Sequence, residues 1–199
     1  MKKIIIFLIS LIGFSSYSQE VDKMQESLDF QKELDSSYID PETSPLTPED
    51  LREFTGLEFF PVDTTFRVVA EFVRTPLENP FQMPTTTDRK PYYVKYAEVY
   101  FNLKGKEYKL DLFQNLELTS NPEYKDYLFA PFTDKSNGKS TYAGGRYLDL
   151  RIPAAKSIVI DFNKAYNPYC AYNGKYSCPI PPEENHLEVE VNAGVKKFH

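Results

Sequence analysis

From about residue 57 onward, apolar side chains recur at every second position, which is the spacing of a β-strand with one buried face. In one such run Phe66, Val68, Ala70 and Phe72 share a face. Roughly eight strands with short connections predict a mainly β protein, an antiparallel β-sandwich or barrel. The clearest strand-like segments are 66–72, 93–103, 106–113, 127–132, 141–152, 157–162 and 187–191.

Two glycine-containing turns define the expected hairpins. Lys104-Gly105 joins the second and third of these segments, although Lys is a poor first residue for a type I′ turn and a longer loop is the alternative. Asn137-Gly138 is the stronger turn signal, between the fourth and fifth segments. A two-residue turn at Lys104-Gly105 would put six apolar residues on one face, as a buried sheet face demands. It would pair Phe101 with Tyr108, Val99 with Leu110 and Ala97 with Leu112.

Before the strands, the apolar residues recur with the spacing of a helix instead. Met24, Leu28 and Leu34 fall on one stripe of a helix predicted over residues 21–35. A linker punctuated by proline follows over residues 36–48. We therefore expect one or two N-terminal helices that pack across an open end or edge of the β-structure.

The ends of a short second helix are also marked. Thr47 is the expected N-cap, Pro48 takes the first helical position, and Asp50 stands where the acid of a capping box would. Gly56 is expected to end this helix as its C-cap, because glycine adopts a left-handed backbone at low cost.

The first eighteen residues have the parts of a secretory signal peptide. Lys2 and Lys3 form a positive region, residues 4–14 are largely apolar, and Ser16-Tyr17-Ser18 has small residues at the spacing of a cleavage site. An uncleaved membrane anchor is the alternative, but the apolar run is shorter than the ~20 residues that span a bilayer. We expect export to the periplasm or beyond the cell, with no transmembrane anchor after cleavage. The expected organisation is a signal peptide (1–18), an N-terminal helical segment and linker (19–56) and a β domain (57–199).

Composition and charge narrow the class of protein. The 199 residues include 15 Tyr and 15 Phe, which is too much aromatic content for a disordered chain. A net charge of −6 argues against nucleic acid as a partner, because phosphate binding needs a basic surface. No Walker loop, dinucleotide fingerprint or EF-hand loop occurs, so we expect no cofactor.

Several sequence phrases identify a family. Together they resemble the bacterial "domain of unknown function 1684" family, and the resemblance runs from about Glu20 to the end. The resemblance implies no assigned activity. It also implies that some family members are secreted and that others are cytosolic and keep the cysteine pair. The family commonly has Asn-Arg where this chain has Asn185-His186, which makes His186 a poor catalytic candidate. The phrases are FFPVD (59–63), PTTTDR (84–89), FAPFTD (129–134), GGRYLDL (144–150), IDFNKAYNP (160–168), Cys170, Cys178-Pro179 and PPEEN (181–185).

Groups suited to catalysis are scarce. Histidine, the commonest general base, occurs only as His186 and His199, and no Gly-x-Ser-x-Gly elbow is present. The sequence leaves open whether the protein is an enzyme. We expect His186 to face solvent from the last strand.

Two cysteines, Cys170 and Cys178, lie too far apart in sequence for a zinc knuckle. Export to an oxidising compartment favours a disulfide between them. Zinc bound by the pair with Asp161 or His186 is the alternative, and no metal is our prediction. Retention of the pair in cytosolic relatives, as the resemblance implies, argues against a purely oxidative role.

A polar cluster follows the strand-like segment 157–162. Asp161 and Asn163 lie two residues apart, so on a strand both side chains point to one face. The structural alternative is turn capping, which Asn and Asp perform through local hydrogen bonds. The candidate ligand-binding residues are Arg146, Asp161, Asn163, Tyr166, Asn167, Glu183 and Asn185.

Arg146 has the strand parity of Leu148 and Leu150, so its side chain is expected to point inward, where an unpaired charge is costly. Consecutive strands are usually neighbours, so we expect Arg146 to meet Asp161. The two residues would form either a partly buried ligand site or an ion pair that locks the sheet.

The function we favour is a small-ligand-binding or accessory β domain of the cell envelope. Its polar or anionic ligand would lie at one end of the β-structure. A hydrolase that uses Asp161 and Glu183 as acid and base, with Arg146 as an anion clamp, is the first alternative. A structural or interaction protein is the second.

Export predicts a mature chain that begins at Gln19. Intact-mass analysis of protein from the envelope fraction should give the mass of residues 19–199. Recovery of a chain that keeps Met1 would contradict the export prediction.

Overall fold

The strands form one largely antiparallel sheet that curls into a half-barrel. A computed structural model describes the backbone of residues 2–198 and the side chains of residues 21–198. The predicted mainly β fold is confirmed. The strand order is β6-β5-β4-β3-β1-β7, with β2 paired to β3 and β8 parallel to β5. The strands are β1 (Arg67–Arg74), β2 (Phe81–Gln82), β3 (Tyr92–Leu103), β4 (Lys106–Asn115), β5 (Tyr127–Asp134), β6 (Arg146–Arg151), β7 (Ser157–Asp161) and β8 (His186–Leu187).

The β3–β4 hairpin has the predicted register. Phe101 pairs with Tyr108, and the two further predicted pairs follow. Lys104 and Gly105 have φ angles of 52° and 80°, so the two-residue turn forms and no longer loop is needed. Lysine takes the unfavourable backbone here because the cross-strand pairs on both sides fix the register.

The predicted hairpin between β5 and β6 forms, but the expected tight turn at Asn137-Gly138 is wrong. β5 ends at Asp134 and β6 begins at Arg146, so the connection is a long loop rather than a tight turn. The Asn137 side chain bonds within this loop: its Nδ2 donates to the Tyr142 carbonyl at 2.7 Å. Asparagine therefore organises the loop through its side chain instead of reversing the chain in two residues.

The last strand is also shorter than predicted. β8 contains only His186–Leu187, and irregular chain follows it. Leu187 and Val191 are nevertheless buried, so the alternating apolar positions reach the core without a sheet ladder.

Helix α1 (Lys2–Ile39) ends beyond the predicted boundary at Asp35. The signal-peptide prediction for residues 1–18 lies outside the residues whose side chains are described. Within the described part of the chain, no helix combines the length and the apolar character needed to cross a membrane.

Helix α1 docks in part through polar side chains, and of the predicted apolar stripe only Leu34 packs against a buried cluster. Met24 and Leu28 of that stripe are exposed, whereas Ser27 and Gln31 are buried. The Ser27 hydroxyl donates to Asp161 Oδ2 at 2.8 Å. Because hydrogen bonds rather than packing hold this part of the helix, hydrophobic spacing did not identify the docked face.

Helix α2 (Pro48–Glu53) begins as predicted and ends differently. Thr47 caps it, since its hydroxyl accepts from the Asp50 N–H at 3.1 Å. The C-cap is Phe54 with extended backbone, so the prediction of Gly56 as C-cap is wrong. Gly56 instead has a φ of 137° and brings the next N–H, that of Leu57, to within 2.6 Å of Asp35 Oδ1.

The two faces of the sheet bury two different clusters. The inner face carries the main core, which includes Phe101, Leu110, Leu128, Phe132, Leu148 and Ile160. The outer face of β3–β6 carries a separate aromatic cluster. Its buried members are Met83, Tyr93, Phe113, Phe129 and Tyr147, with Phe81, Tyr127 and Tyr166 packed against them.

Two glycines with similar backbone allow a matched stability test. Gly105 and Gly194 have φ angles of 80° and 76°, but a Cβ would meet nothing at Gly105 and would collide with the Ala165 and Phe162 carbonyl oxygens at Gly194. Gly105→Ala should cost about 1 kcal/mol, the backbone penalty alone. Gly194→Ala should cost at least about 2 kcal/mol more, because backbone must shift. Urea unfolding measures both, and equal losses would contradict the collision.

Candidate functional site

Arg146 belongs to a fully buried ion pair with Asp134. Its guanidinium contacts Asp134 Oδ2 at 2.9 Å, and both side chains are completely inaccessible to solvent. The same guanidinium donates to the Val191 carbonyl at 2.7 Å and to the Ala193 carbonyl. The Arg146 side chain points inward, as predicted. Through these contacts it holds the C-terminal segment against the sheet. Burial lowers the pKa of Arg146, and the negative charge of Asp134 opposes that shift.

Asp161 lies in a different network, so the expected meeting of Arg146 and Asp161 is wrong. Asp161 Oδ2 accepts from Ser27 and, at 3.2 Å, from Arg67. The reason is the strand order: β7 pairs with β1, which sets Asp161 opposite Arg67, while β6 lies at the other end of the sheet. The two strands are consecutive in the chain but do not pair, and Arg146 and Asp161 enter separate networks.

The side-chain amides of the predicted asparagines form hydrogen bonds that link separate backbone segments. The Asn163 amide bonds both the N–H and the carbonyl of Asp63, at 3.0 and 2.9 Å. Asn185 does the same for Asp111, at 2.7 and 2.9 Å. Asn167 donates to the Lys196 carbonyl at 2.8 Å. These buried amides satisfy backbone groups that irregular chain would otherwise leave unpaired.

The proposed acid–base pair is not assembled. Asp161 is buried and engaged by Ser27 and Arg67, whereas Glu183 is exposed at the start of a 3₁₀ turn. No hydrogen bond joins the two carboxylates in the described residues. The arrangement gives no support to the hydrolase alternative.

Tyr166 lines an aromatic cleft. The cleft has a volume of about 480 Å³ and opens on the outer face of the sheet. Its walls include the aromatic side chains of Tyr93, Tyr127, Phe129, Tyr147, Tyr166 and Tyr169. The rings of Phe129 and Tyr147 lie edge to face with centroids 4.7 Å apart, and the Tyr147 and Tyr166 rings are 5.8 Å apart. Such contacts fix the orientation of the walls.

Asp149 and Glu117 are the acidic residues that line this cleft, and Asp149 is the one that tyrosine hydroxyls engage. The hydroxyls of Tyr127 and Tyr166 donate to its Oδ1 at 2.6 and 2.7 Å. Both bonds go to one oxygen, and no described residue donates to Oδ2. Asp149 is reachable by solvent from the cleft although protein surrounds it on most sides. It is an acceptor with unused capacity.

The protein around Asp149 changes how it titrates. Loss of hydration raises the pKa of the Asp149 carboxyl, while the two tyrosine hydroxyls and the charge of Arg151 oppose the shift. Burial also raises the pKa of Tyr127 and of Tyr166, so both hydroxyls stay neutral donors at physiological pH. An accessible carboxylate with a raised pKa in a concave site is typical of functional positions.

Sequence reasoning missed Asp149 and most of the aromatic walls. Tyr127 and Phe129 have the parity of the outer face of β5, as Tyr147 and Asp149 do on β6, and Phe129 pairs with Asp149 across the strands. Four such positions on one non-core face were the available signal.

The two cysteines are close together and both are free thiols. The Cys170 N–H donates to Cys178 Sγ at 3.1 Å, and Cys178 lines the aromatic cleft. No disulfide joins them. Among the residues with described side chains, no group of three or more His, Cys, Asp or Glu is placed to hold a metal ion.

Comparisons with known proteins establish the family. The profile of the family described as "Protein of unknown function (DUF1684)" matches residues 52–196. The chain belongs to this family. The DUF1684 match includes β1–β8, Asp149 and both cysteines. Among solved structures, the solution NMR structure of an uncharacterized protein from Haloarcula marismortui is 33% identical, with a TM-score of 0.70, over 90% of this chain and 96% of that one. No curated protein matches the chain.

The buried ion pair yields a stability prediction within this DUF1684 fold. Arg146→Gln should lower the free energy of unfolding by about 3–5 kcal/mol, because it leaves the Asp134 charge buried without its partner. Arg151→Gln is the matched control on the same strand, since Arg151 pairs with Asp126 at 2.8 Å in solvent and should contribute no more than about 1 kcal/mol. Chemical denaturation measures both variants. Equal losses would contradict the structural role of Arg146.

Proposed function

We propose that the protein binds a small organic molecule in the aromatic cleft, with Asp149 accepting a hydrogen bond from it. The observation that carries the proposal is the unused Oδ2 of Asp149 beside aromatic walls. Ligand sites in proteins are concave, largely apolar and equipped with a few directed polar groups. The volume of about 480 Å³ lies in the range of such sites.

The chemistry of the cleft favours a ligand that combines an apolar face with an N–H or O–H donor. Aromatic rings stack against flat apolar surfaces, and a carboxylate accepts hydrogen bonds and attracts positive charge. An anionic ligand was expected from Arg146, but that guanidinium is buried against Asp134. Arg89 stands exposed at the side of the cleft, so an anionic tail on the ligand would have to lie there rather than at Asp149.

Export is part of the same proposal. The signal-peptide pattern in residues 1–18 would deliver a soluble binding or accessory domain to the periplasm or the medium. Cleavage after Ser18 would keep Ser27 and Gln31, which dock helix α1 on the end of β7 and the turn that follows it. It would also keep Phe30 and Leu34, which line the cleft. In that oxidising compartment Cys170 and Cys178 would carry a disulfide.

A matched pair of compounds tests the ligand chemistry. Tyramine and 3-(4-hydroxyphenyl)propionate share a phenol ring and differ in the charge of the tail. Tyramine, and neutral donors such as adenosine and methyl glucoside, are assayed beside the propionate by thermal shift of the mature protein. A concentration-dependent shift with a donor-bearing compound, larger for tyramine than for the propionate, supports the proposal. No shift with any donor-bearing compound at millimolar concentration, or a larger shift with the propionate, would overturn it.

Asp149→Asn should separate binding from folding. We expect the variant to lose the ligand-induced shift yet keep or raise the melting temperature at pH 7. The sign follows from the raised pKa of Asp149: its protonated form stabilises the fold below the unfolded pKa, and that contribution is lost as pH rises through the folded pKa. Asparagine carries no charge, so the variant at pH 7 avoids the free-energy cost of holding a carboxylate where protein displaces its hydration.

A second variant provides a matched control for the hydroxyl donors. Tyr166→Phe removes a hydroxyl that donates to Asp149 at 2.7 Å, and Tyr100→Phe removes one that donates to Glu98 at 2.7 Å away from the cleft. Only Tyr166→Phe should weaken the ligand-induced shift. Equal effects from both variants would show that the cleft hydroxyls have no special role.

A further inference from the structure

We propose that Cys170 and Cys178 form a thiol–disulfide exchange site in which Cys170 attacks a small or peptide disulfide and Cys178 resolves the product. Cys170 is partly exposed in the 3₁₀ turn Tyr169–Ala171, whereas Cys178 is only 5% exposed. An external disulfide can therefore approach Cys170 first. The bond from the Cys170 N–H to Cys178 Sγ, at 3.1 Å, shows that the second sulfur lies beside the first residue.

Cys178 is held in place by a neighbouring segment. Its N–H donates to the Thr86 hydroxyl at 3.1 Å, and its carbonyl accepts from the Thr86 N–H at 2.9 Å. Cys170, by contrast, sits in a short turn at the other end of the 170–178 loop. A fixed buried sulfur next to a reachable one is the arrangement that lets a mixed disulfide collapse to an internal bond.

The difference in exposure assigns the two roles, and the directions in which the thiol pKa values shift agree with it. The neighbouring Cys178 thiol is the main cause that lowers the pKa of Cys170 below that of an ordinary thiol, and burial opposes the shift. The bond to Cys170, together with burial, raises the pKa of Cys178. The thiolate is the nucleophile in exchange, so Cys170 is the residue that is ready to attack.

The exchange balances as follows. The Cys170 thiolate bonds to one sulfur of a disulfide RS–SR, the S–S bond breaks, and RS⁻ leaves and takes a proton. Cys178 then gives up its proton, attacks Cys170 Sγ and expels the second RS⁻. The protein loses two electrons and two protons and forms one internal disulfide, and the reagent is reduced to two thiols.

The location of this pair links it to the cleft. Cys178, with Ser177 and Pro179 on either side, forms part of the cleft wall, and the Tyr169 and Tyr176 rings at the two ends of the loop are 5.1 Å apart. Tyr169, which precedes Cys170 in the chain, is exposed and lines the cleft, so it offers an aromatic surface to a disulfide substrate near the attacking residue. The exchange reaction itself does not depend on the ligand proposed for Asp149.

The test uses the reduced mature protein with two probes, iodoacetamide and oxidised glutathione. Substoichiometric iodoacetamide should label Cys170 in preference to Cys178 by at least about tenfold, as read by peptide mass mapping. Oxidised glutathione should convert the wild type to an internal disulfide with no bound glutathione. Cys178→Ala should stop at glutathione on Cys170, and Cys170→Ala should react at least about tenfold more slowly than the wild type.

A pH profile distinguishes this site from a merely accessible cysteine. The alkylation rate of Cys170 should reach half its maximum below the ~8.5 of a free thiol, and Cys178→Ala should move that midpoint upward because a donor is lost. Preferential labelling of Cys178, equal labelling of both residues, or a wild type that accumulates glutathione on both cysteines would overturn the proposal. The wild-type labelling decides even where an alanine variant fails to fold.

Discussion

The pleat of strands β5 and β6 is the constraint on which the rest of the molecule depends. Successive residues must point to opposite faces of the sheet, so each strand serves the core and the outer face at once. Leu128 and Leu148 enter the inner core, while Phe129 and Tyr147 build the aromatic cluster outside. A one-residue slip between these strands would bury Asp149 in the core. The fold and the cleft are therefore fixed by the same register.

The ion pair of Arg146 with Asp134 helps to hold that register. The two residues lie at the adjoining ends of β6 and β5, where Phe132 pairs with Arg146. A buried charge pair is seldom a large source of stability by itself, because desolvation offsets the attraction. Its role here is to fix position: the guanidinium also donates hydrogen bonds to the carbonyls of Val191 and Ala193, and so holds the C-terminal segment against the half-barrel.

The features that the sequence predicts well are local or follow from parity. The β3–β4 register, the Thr47 cap and the inward direction of Arg146 each depend on residues close together in the chain. The expected partner of Arg146 was wrong because β7 joins β1 rather than β6, and the residue that pairs with Arg146 is Asp134, at the end of the preceding strand β5. The docked face of helix α1 was missed for a related reason: Ser27 and Gln31 bind through hydrogen bonds whose acceptors lie more than a hundred residues away.

The aromatic cleft was not predicted from the sequence, and the physical reason is different. Tyrosine serves equally well as core filler and as a wall with a polar edge, so its count does not separate the two uses. What separates them is where the hydroxyls go. The Tyr147 hydroxyl is spent on the Pro179 carbonyl, a bond that closes the loop around the cysteines. The Tyr127 and Tyr166 hydroxyls converge instead on one oxygen of Asp149.

Strands β5 and β6 carry one carboxylate with a structural role and one with the proposed binding role. Asp134 is fully buried, and its oxygens are committed to Arg146 and to backbone N–H groups. Asp149 is reachable from the cleft and retains an oxygen to which no described residue donates. An acid whose two oxygens both accept hydrogen bonds within the protein supports the fold. An acid with an unused oxygen can accept a hydrogen bond from a ligand. The raised pKa of Asp149 is the cost of keeping that capacity, because protein replaces the water that would otherwise stabilise its charge.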